Sequence, residues 1–158
     1  MKLLQRQPQF SAGAISRHFD SWTCLTSDSN ILTLVRGFRL DFLSLPNQPQ
    51  WPKQLLTKPT DIAIANALLQ ELLLKNVIEK TSFHPRGFVS HIFLRDKKNG
   101  KHRLILNLKP LNHHVEYHHF KMETLTAALL LISPHCYMAS IDLTDAYYSV
   151  NVAKTDRK

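Results

Sequence analysis

Cysteine is scarce in this sequence, and so are long apolar runs. The two cysteines, Cys24 and Cys136, are far apart and form no Cys-x-x-Cys motif, which excludes a disulfide framework and a cysteine-rich zinc site. The longest apolar run, 127–132, is far shorter than the roughly 20 residues that span a bilayer, and no secretory signal pattern opens the chain. We therefore expect an intracellular protein, in the cytoplasm or the nucleus, with reduced, half-buried thiols and no membrane association.

Glycine is also scarce. With four glycines, eight prolines, 44% hydrophobic and 20% charged residues, the 158-residue chain has the composition of a folded domain and not of a disordered one. A chain of this length can bury a core as a single domain, and it holds no repeat or low-complexity tract.

Acidic residues are outnumbered by basic ones, 12 to 20, which gives a net charge of +8. Most of this excess is local, because a single acidic residue, Asp96, faces a row of basic residues between positions 86 and 109. A local positive field of this kind favours a polyanionic partner. The basic residues of this row are Arg86, Arg95, Lys97, Lys98, Lys101, Arg103 and Lys109.

The first segment, 1–43, is predicted to be a helical leader. Ser11 is suited to cap a first helix, and Asp28 and Gly37 are suited to begin and end a second one. Residues 38–42 then alternate as a brief strand. The first helix has apolar residues at helical spacing, namely Ile15, Phe19 and Trp22.

A proline-rich stretch, 44–59, is predicted to be an extended connector and the clearest boundary in the chain. The third segment, 60–158, opens with the strongest predicted helix, which Thr60 and Asp61 cap and which ends near Asn76. We interpret it as a packing helix. Its apolar stripe consists of Ile62, Ile64, Leu68, Leu69, Leu72 and Leu73.

A β-hairpin is predicted in the middle of the chain. Residues 88–95 and 101–108 are strand-like, and Asn99-Gly100 between them is the strongest short signal for a hairpin turn. The cations near its tip are either simply solvated or placed to close on phosphates, and their density favours the second interpretation. These cations are Lys97, Lys98, Lys101 and Arg103.

Residues 138–150 (MASIDLTDAYYSV) place two carboxylates at the end of a short apolar run. We expect a strand from which Asp142 emerges, followed three residues later by Asp145. A buried carboxylate needs a partner or a metal, and Mg²⁺ in phosphoryl-transfer sites is typically held by one or two carboxylates. The alternative is that Asp145 caps a turn and Asp142 lies in solvent.

Four histidines lie between this strand and the hairpin. Adjacent His-His pairs point apart and no cysteine completes a ligand set, so we favour a surface loop whose charge varies near neutral pH over a zinc site. A short apolar helix follows over 124–132. The histidines are His113, His114, His118 and His119.

Taken together, several stretches resemble one family. Residues 93–112 (FLRDKKNGKHRLILNLKPLN) are similar to the fingers hairpin of retroelement reverse transcriptases, in which two lysines, a glycine and an arginine precede a strand that ends in Leu-Asn. Residues 119–125 resemble the segment that leads to the palm, 140–150 resemble the first palm motif, and 156–158 resemble the basic run after it. The order and the spacing match as well as the residues.

The leader extends the resemblance. Residues 13–22, 26–28 and 35–38, with Ile31-Leu32 between them, are similar to the segment before the polymerase domain of DIRS-type tyrosine-recombinase retrotransposons. The resemblance therefore covers residues 11–158.

The resemblance implies an α+β fold: a partial right-hand polymerase with fingers and the first palm strand over 60–158, a helical N-terminal leader and a central β-hairpin. It also implies an RNA-directed DNA polymerase, which adds deoxynucleotides to a primer by two-metal phosphoryl transfer with Mg²⁺. The partners of the complete enzyme would be an RNA or DNA template-primer and a deoxynucleoside triphosphate.

The family also implies roles for matching positions. Asp142 would be the catalytic carboxylate that holds metal, and the backbone carbonyl of Leu143 would be a further ligand. Asp145 and Ala146 would lie under the triphosphate and contribute backbone N–H groups. Tyr147 would form the floor under the sugar and select deoxynucleotides.

On the fingers, the resemblance implies that Lys97 and Arg103 grip the phosphates of the nucleotide, and that Arg103 also stacks on the base. Lys98, Lys101 and Arg86 would contact the template backbone, which is a sequence-independent and salt-sensitive contact.

The sequence departs from the family in one decisive respect. The remaining carboxylates of the family come from a later Tyr-x-Asp-Asp hairpin, and no Asp-Asp pair occurs in the 158 residues. Two-metal catalysis needs carboxylates from both places to hold ions about 4 Å apart, so we expect no activity from this chain alone. A smaller departure is Asn107, where many relatives carry Asp.

Three interpretations stay open: an incomplete polymerase, a non-catalytic nucleic-acid-binding module, and a decayed retroelement reading frame.

Overall fold

Short helices and one β-hairpin make up the fold, and the computed structural model describes residues 10–53, 55–82, 84 and 87–157. This mixture of helices and an antiparallel strand pair agrees with the predicted α+β class. Among the described residues, no helix is long and apolar enough to cross a membrane. In chain order the elements are a 3₁₀ helix (Ala14–His18), α1 (Phe19–Leu25), α2 (Ser29–Arg36), α3 (Pro59–Leu74), β1 (Ile92–Asp96), β2 (His102–Leu106), α4 (Lys109–Asn112), α5 (Leu125–Leu129) and two further 3₁₀ helices (Ala146–Ser149 and Lys154–Asp156).

The second helix of the leader forms as predicted. The Asp28 carboxylate accepts a hydrogen bond from the N–H of Asn30 at 2.8 Å, which satisfies a donor at the start of α2. The helix ends at Arg36, directly before Gly37. Val35, on the inner side of α2, is 1% exposed and is the most deeply buried hydrophobic residue of the described part of the chain.

The first helix of the leader begins later than predicted. Gly13 has a left-handed backbone (φ 68°) and turns the chain into the 3₁₀ helix, so Ser11 is not the cap. The predicted strand over 38–42 is also wrong, because this stretch makes only two isolated bridges. Phe38 pairs with Val152 in parallel, and Phe42 pairs with Val115 in antiparallel orientation.

Helix α3 is close to the prediction and begins one residue early. Pro59 occupies the first turn, where its missing N–H costs nothing, and Asp61 also lies in that turn, so Thr60 is not the cap. The helix ends at Leu74, as expected near Asn76. Ala65, only 2% exposed, marks the side that packs inward.

The described part of the connector before α3, residues 44–53 and 55–58, contains no helix or strand, and it is hydrogen-bonded to the chain just before the hairpin. The side-chain amide of Gln48 donates to the carbonyl of Val89 at 2.8 Å, and its side-chain oxygen accepts from the N–H of Val89, also at 2.8 Å. The Gln48 side chain thus satisfies both the N–H and the carbonyl of Val89, as the backbone of a neighbouring strand would.

The predicted strand at Asp142 is wrong. Residues 136–143 are irregular, and Ile141 is 85% exposed. A strand is stable only when a neighbouring strand completes its hydrogen bonds, and no described residue pairs with this stretch. For a related reason Cys24 and Cys136, predicted to be half-buried, are exposed: neither lies on a face that packs.

Helix α5 is shorter than the predicted 124–132. The Thr124 hydroxyl accepts a hydrogen bond from the N–H of Ala127 at 3.2 Å and begins the helix. The helix then ends at Leu129, and the leucines that follow it are exposed.

Candidate nucleic-acid and nucleotide-binding site

The hairpin turn is built around Gly100. The N–H of Lys97 donates to the carbonyl of Lys101 at 2.7 Å, and the N–H of Gly100 donates back to the carbonyl of Lys97 at 3.0 Å. Gly100 has a φ of 73°, whereas the φ of Asn99 is not positive. The loop is therefore a type I turn followed by a left-handed glycine, and not the two-residue turn that Asn-Gly usually forms.

The register of the strands brings Arg95 directly opposite Arg103. Hydrogen bonds join His91 to Asn107 and Lys97 to Lys101, and in an antiparallel pair they repeat every second residue. Arg95 and Arg103 therefore form a hydrogen-bonded pair, with Cα atoms about 5.5 Å apart. Two like charges this close destabilise the hairpin unless an anion lies between them.

Asp96 is the only acid of the hairpin, and its carboxylate lies 2.9 Å from Nδ1 of His102, its cross-strand neighbour. Within the ranges that the structure describes, no carboxylate forms an ion pair with a cation of the hairpin. Those cations are Arg95, Lys97, Lys98, Lys101 and Arg103.

All of these cations except Lys101 border an open concavity of about 540 Å³. The guanidinium of Arg95 also lies 5.8 Å from the centre of the Phe93 ring, so that an aromatic side chain adjoins the basic face. The predicted binding residues Lys97, Lys98 and Arg103 are thus brought together, whereas Lys101 is exposed beside them. The concavity is lined by Arg95, Asp96, Lys97, Lys98, Asn99, Arg103 and Ile105. The predicted template contact Arg86 lies outside the described residues.

Asp142 and Leu143 are not brought into this concavity. Both are exposed in the irregular stretch before the last 3₁₀ helices, and Leu143 is 70% exposed. Among the described residues, no group of three His, Cys, Asp or Glu side chains converges to hold a metal ion.

Asp145 lies in a turn, residues Asp145–Ser149, which we call the first-motif turn. Its backbone is left-handed (φ 54°, ψ 30°), and its carbonyl accepts from the N–H of Tyr148 at 2.9 Å. The carboxylate accepts a hydrogen bond from Nζ of Lys75 at 3.0 Å, and the same Nζ lies 3.0 Å from Glu71. Hydrogen bonds to Glu71 and to Asp145 raise the pKa of Lys75 above its usual 10.5.

Ala146 and Tyr147 meet the leader. They line a second, apolar concavity of about 390 Å³ together with Val150 and Val152 from their own segment and Leu34 and Phe38 from the leader. Tyr147 is 96% exposed, so its ring is free to contact a ligand. The predicted nucleotide residues of the first motif therefore lie together, but apart from those of the hairpin.

Three backbone N–H groups of the leader donate hydrogen bonds to the segment 148–156. The N–H of Gly13 donates to the carbonyl of Tyr148 at 2.8 Å, and the N–H of Phe38 donates to the carbonyl of Asn151 at 2.7 Å. The N–H of Leu40 donates to the Asp156 carboxylate at 2.9 Å. That bond and one from the neighbouring Thr155 hydroxyl lower the pKa of Asp156 below its usual 3.8.

The histidine loop contacts the leader and the connector. His114 Nδ1 lies 3.0 Å from the Ser44 hydroxyl, and His118 Nε2 lies 3.2 Å from the Asp41 carboxylate. Each of these histidines has its own partner, which is consistent with the surface loop that we favoured.

Sequence reasoning missed two residues of the site, Arg95 and Lys75. Arg95 is a residue of the strand, and counting the register outward from the turn would have placed it opposite Arg103. Lys75 has no such signal, because its partner Asp145 lies 70 residues away in the chain.

No protein-family model matches the chain, and no curated protein matches it at a significant level. The function of the chain is therefore argued from its residues and their geometry.

Proposed function

We propose that this chain is the fingers and first palm segment of an RNA-directed DNA polymerase of the DIRS retrotransposon type, and that its hairpin binds nucleic-acid and nucleotide phosphates. The complete polymerase would add deoxynucleotides to a primer on an RNA or DNA template, in the cytoplasm or the nucleus. The observation that supports the proposal best is the hairpin itself, whose cations share a concavity with no carboxylate paired to them.

The chemistry of the basic face suits phosphate. A guanidinium group binds two phosphate oxygens with two parallel hydrogen bonds, and Arg95 and Arg103 lie side by side for this purpose. A bound phosphate would also remove the repulsion between them. The Phe93 ring beside Arg95 offers a surface on which a base of a single strand can stack.

The first-motif turn is the proposed deoxynucleotide side of the site. The Tyr147 ring is exposed and borders the apolar concavity beside the leader. Under the proposal, Tyr147 crowds the 2′ position of the sugar and selects deoxynucleotides. Closure of the hairpin over this turn would join the two halves of the site.

Asp142 is the carboxylate that the proposal assigns to catalysis. Because the 158 residues contain no Asp-Asp pair, we expect no primer extension by this chain alone. Extension of a labelled primer by the purified chain, at any Mg²⁺ concentration, would contradict this. The reading frame after codon 158 is the sharpest test of ancestry, because the proposal expects a Tyr-x-Asp-Asp motif there, intact or interrupted.

A second candidate function is a non-catalytic module that binds nucleic acid with the same hairpin. The specific observation in its favour is that Asp142 is exposed, and that no group of three potential metal ligands converges among the described residues. This candidate predicts the same nucleic-acid binding but no binding of deoxynucleoside triphosphates.

The binding role is tested with a labelled single-stranded oligonucleotide and fluorescence anisotropy. Each phosphate contact contributes about −0.7 to the slope of log affinity against log salt, so four contacts predict roughly a fiftyfold loss between 50 and 200 mM salt. The hairpin variant replaces Lys97, Lys98, Lys101 and Arg103 with Gln. We expect weaker binding from it and a slope that is shallower by about 3.

The matched control removes the same charge elsewhere, at exposed lysines that form no ion pair within the described ranges. It replaces Lys53, Lys58, Lys80 and Lys121 with Gln. If the control and the hairpin variant lose affinity equally, net charge alone attracts the oligonucleotide and the proposed role of the hairpin is wrong.

A further inference from the structure

Three separate parts of the chain meet at Lys75, the residue that follows α3. Its ammonium group binds the Asp145 carboxylate of the first-motif turn at 3.0 Å. Its backbone carbonyl accepts the N–H of Ala12 from the leader, also at 3.0 Å. The next leader residue, Gly13, donates to the carbonyl of Tyr148 in the same turn. Lys75 and the leader therefore hold the turn from two sides.

The Lys75–Asp145 pair is more sheltered than the cations of the hairpin. The two side chains are 31% and 28% exposed, whereas the Glu71 side chain on the other side of Lys75 is 56% exposed. An ion pair that is partly sheltered from water is screened less by salt than one at the open surface. Lys75 binds both carboxylates at the same distance, and its pair with Asp145 is the one that salt screens less.

The backbone at Asp145 needs such support. A left-handed conformation costs an ordinary residue roughly 1–2 kcal/mol, and Asp is among the few residues that tolerate it. In this turn the Asp145 carboxylate binds the ammonium group of Lys75, the residue that directly follows the 16-residue helix α3. An untied carboxylate would also repel any phosphate that approaches the turn.

We propose that Lys75 is a positioning residue for the first-motif turn: its ammonium group holds the Asp145 carboxylate, so that the turn stays in the conformation that faces a deoxynucleotide. The nucleotide half of this inference rests on the proposed function. The part about the conformation of the turn is independent of the proposed function, because it involves only the ion pair and the backbone of the turn.

The test uses the full chain with four single substitutions. Lys75→Met keeps most of the length of the side chain and removes its charge. Asp145→Asn removes the other charge and still tolerates the left-handed backbone. Lys75→Arg keeps the charge and is the conservative rescue. Lys80→Met is the matched control, because it removes an exposed lysine close to Lys75 that forms no ion pair within the described ranges.

The first readout is the position of the turn in amide NMR spectra. We expect Lys75→Met and Asp145→Asn to shift the signals of Ala146, Tyr147 and Tyr148 in the same way, with no further change in the double variant. Lys80→Met should leave these signals in place. Unchanged signals in a folded Lys75→Met variant would overturn the inference, and so would additive shifts in the double variant.

The second readout is the affinity for magnesium deoxyadenosine triphosphate. We expect Lys75→Met to weaken it by about two- to fivefold, as for the loss of one partly exposed ion pair, and Lys75→Arg to restore it. The affinity for the single-stranded oligonucleotide should not change. Equal nucleotide affinity in wild type and Lys75→Met would overturn the nucleotide half. No nucleotide binding by wild type would instead overturn the proposed deoxynucleotide site, while the NMR spectra still decide the role of Lys75 in the turn.

Discussion

The hairpin and the segment 138–144 around Asp142 carry different parts of the proposed chemistry, and they are held in very different ways. The hairpin pairs residues that are close in sequence, and its two strands are complete with one turn between them. The segment around Asp142 has apolar residues of similar quality but no pairing neighbour among the described residues, and Ile141 is 85% exposed. A strand forms where its partner is near, and apolar character alone does not produce one.

The largest expected contrast between these two regions is in hydrogen exchange. The amides of β1 and β2 that donate across the strands should exchange slowly, whereas no amide of 138–144 donates a hydrogen bond within the described residues and all should exchange at the rate of an unprotected chain. Mass spectrometry of peptides from the native chain measures both. Equal protection of the two regions would mean that the segment around Asp142 has a partner after all.

A pair of matched glycine substitutions sharpens the comparison of the hairpin with the leader. Gly13 and Gly100 both have positive φ, so that alanine at either position costs roughly 1–2 kcal/mol of backbone strain. A side chain at Gly100 meets nothing, whereas at Gly13 it collides with the side chain of Asn151. We therefore expect Gly13→Ala to lower the free energy of unfolding in urea by more than Gly100→Ala does.

The extra loss at Gly13 has its own control. Asn151→Ala removes the collision but not the backbone strain, so in the Gly13→Ala background it should recover the difference between the two glycine variants. Gly100→Asn should be milder than Gly100→Ala, because Asn tolerates the left-handed backbone. Equal losses at both glycines would contradict the close packing of the leader on the first motif.

The smallest expected effect is a loss of stability at low pH, at the point where the leader contacts Asp156. Because the folded pKa of Asp156 lies below 3.8, its contribution to stability is fully present above that pH and is lost as the pH falls through the folded pKa. The NMR signal of the Leu40 amide, which donates to this carboxylate, should report the loss. In Asp156→Asn this acid transition should be absent, whereas a transition of the same size in the variant would assign it to another group.

Local signals predicted much of the fold. Asp28 and Gly37 bracket α2 as expected, α3 occupies nearly the predicted range, and Asn99-Gly100 marks the hairpin. Each of these features depends on residues within a few positions of one another. Capping, turn chemistry and helical periodicity are therefore sufficient to find them.

The features of the fold that local signals did not predict depend on contacts between distant parts of the chain. The ion pair of Lys75 with Asp145 and the bridge of Phe38 with Val152 join residues that no local pattern relates. The density of charge predicted the cations of the hairpin. The pairing of Arg95 with Arg103 could be seen only from the register of β1 with β2. The roles of Asp142, Leu143 and Tyr147 stay predictions, because they concern ligands and chemistry and not the fold.

The bond between Leu40 and Asp156 joins residues 116 positions apart, which has a consequence for synthesis on the ribosome. At about 5–20 residues per second, translation needs roughly 6–23 s to supply the second partner after the first. During this interval α1 and α2 can pack on each other, but the apolar surface around Leu34 and Phe38 is left uncovered. A nascent chain with such a delay is a natural client for chaperones that bind exposed apolar segments near the exit tunnel.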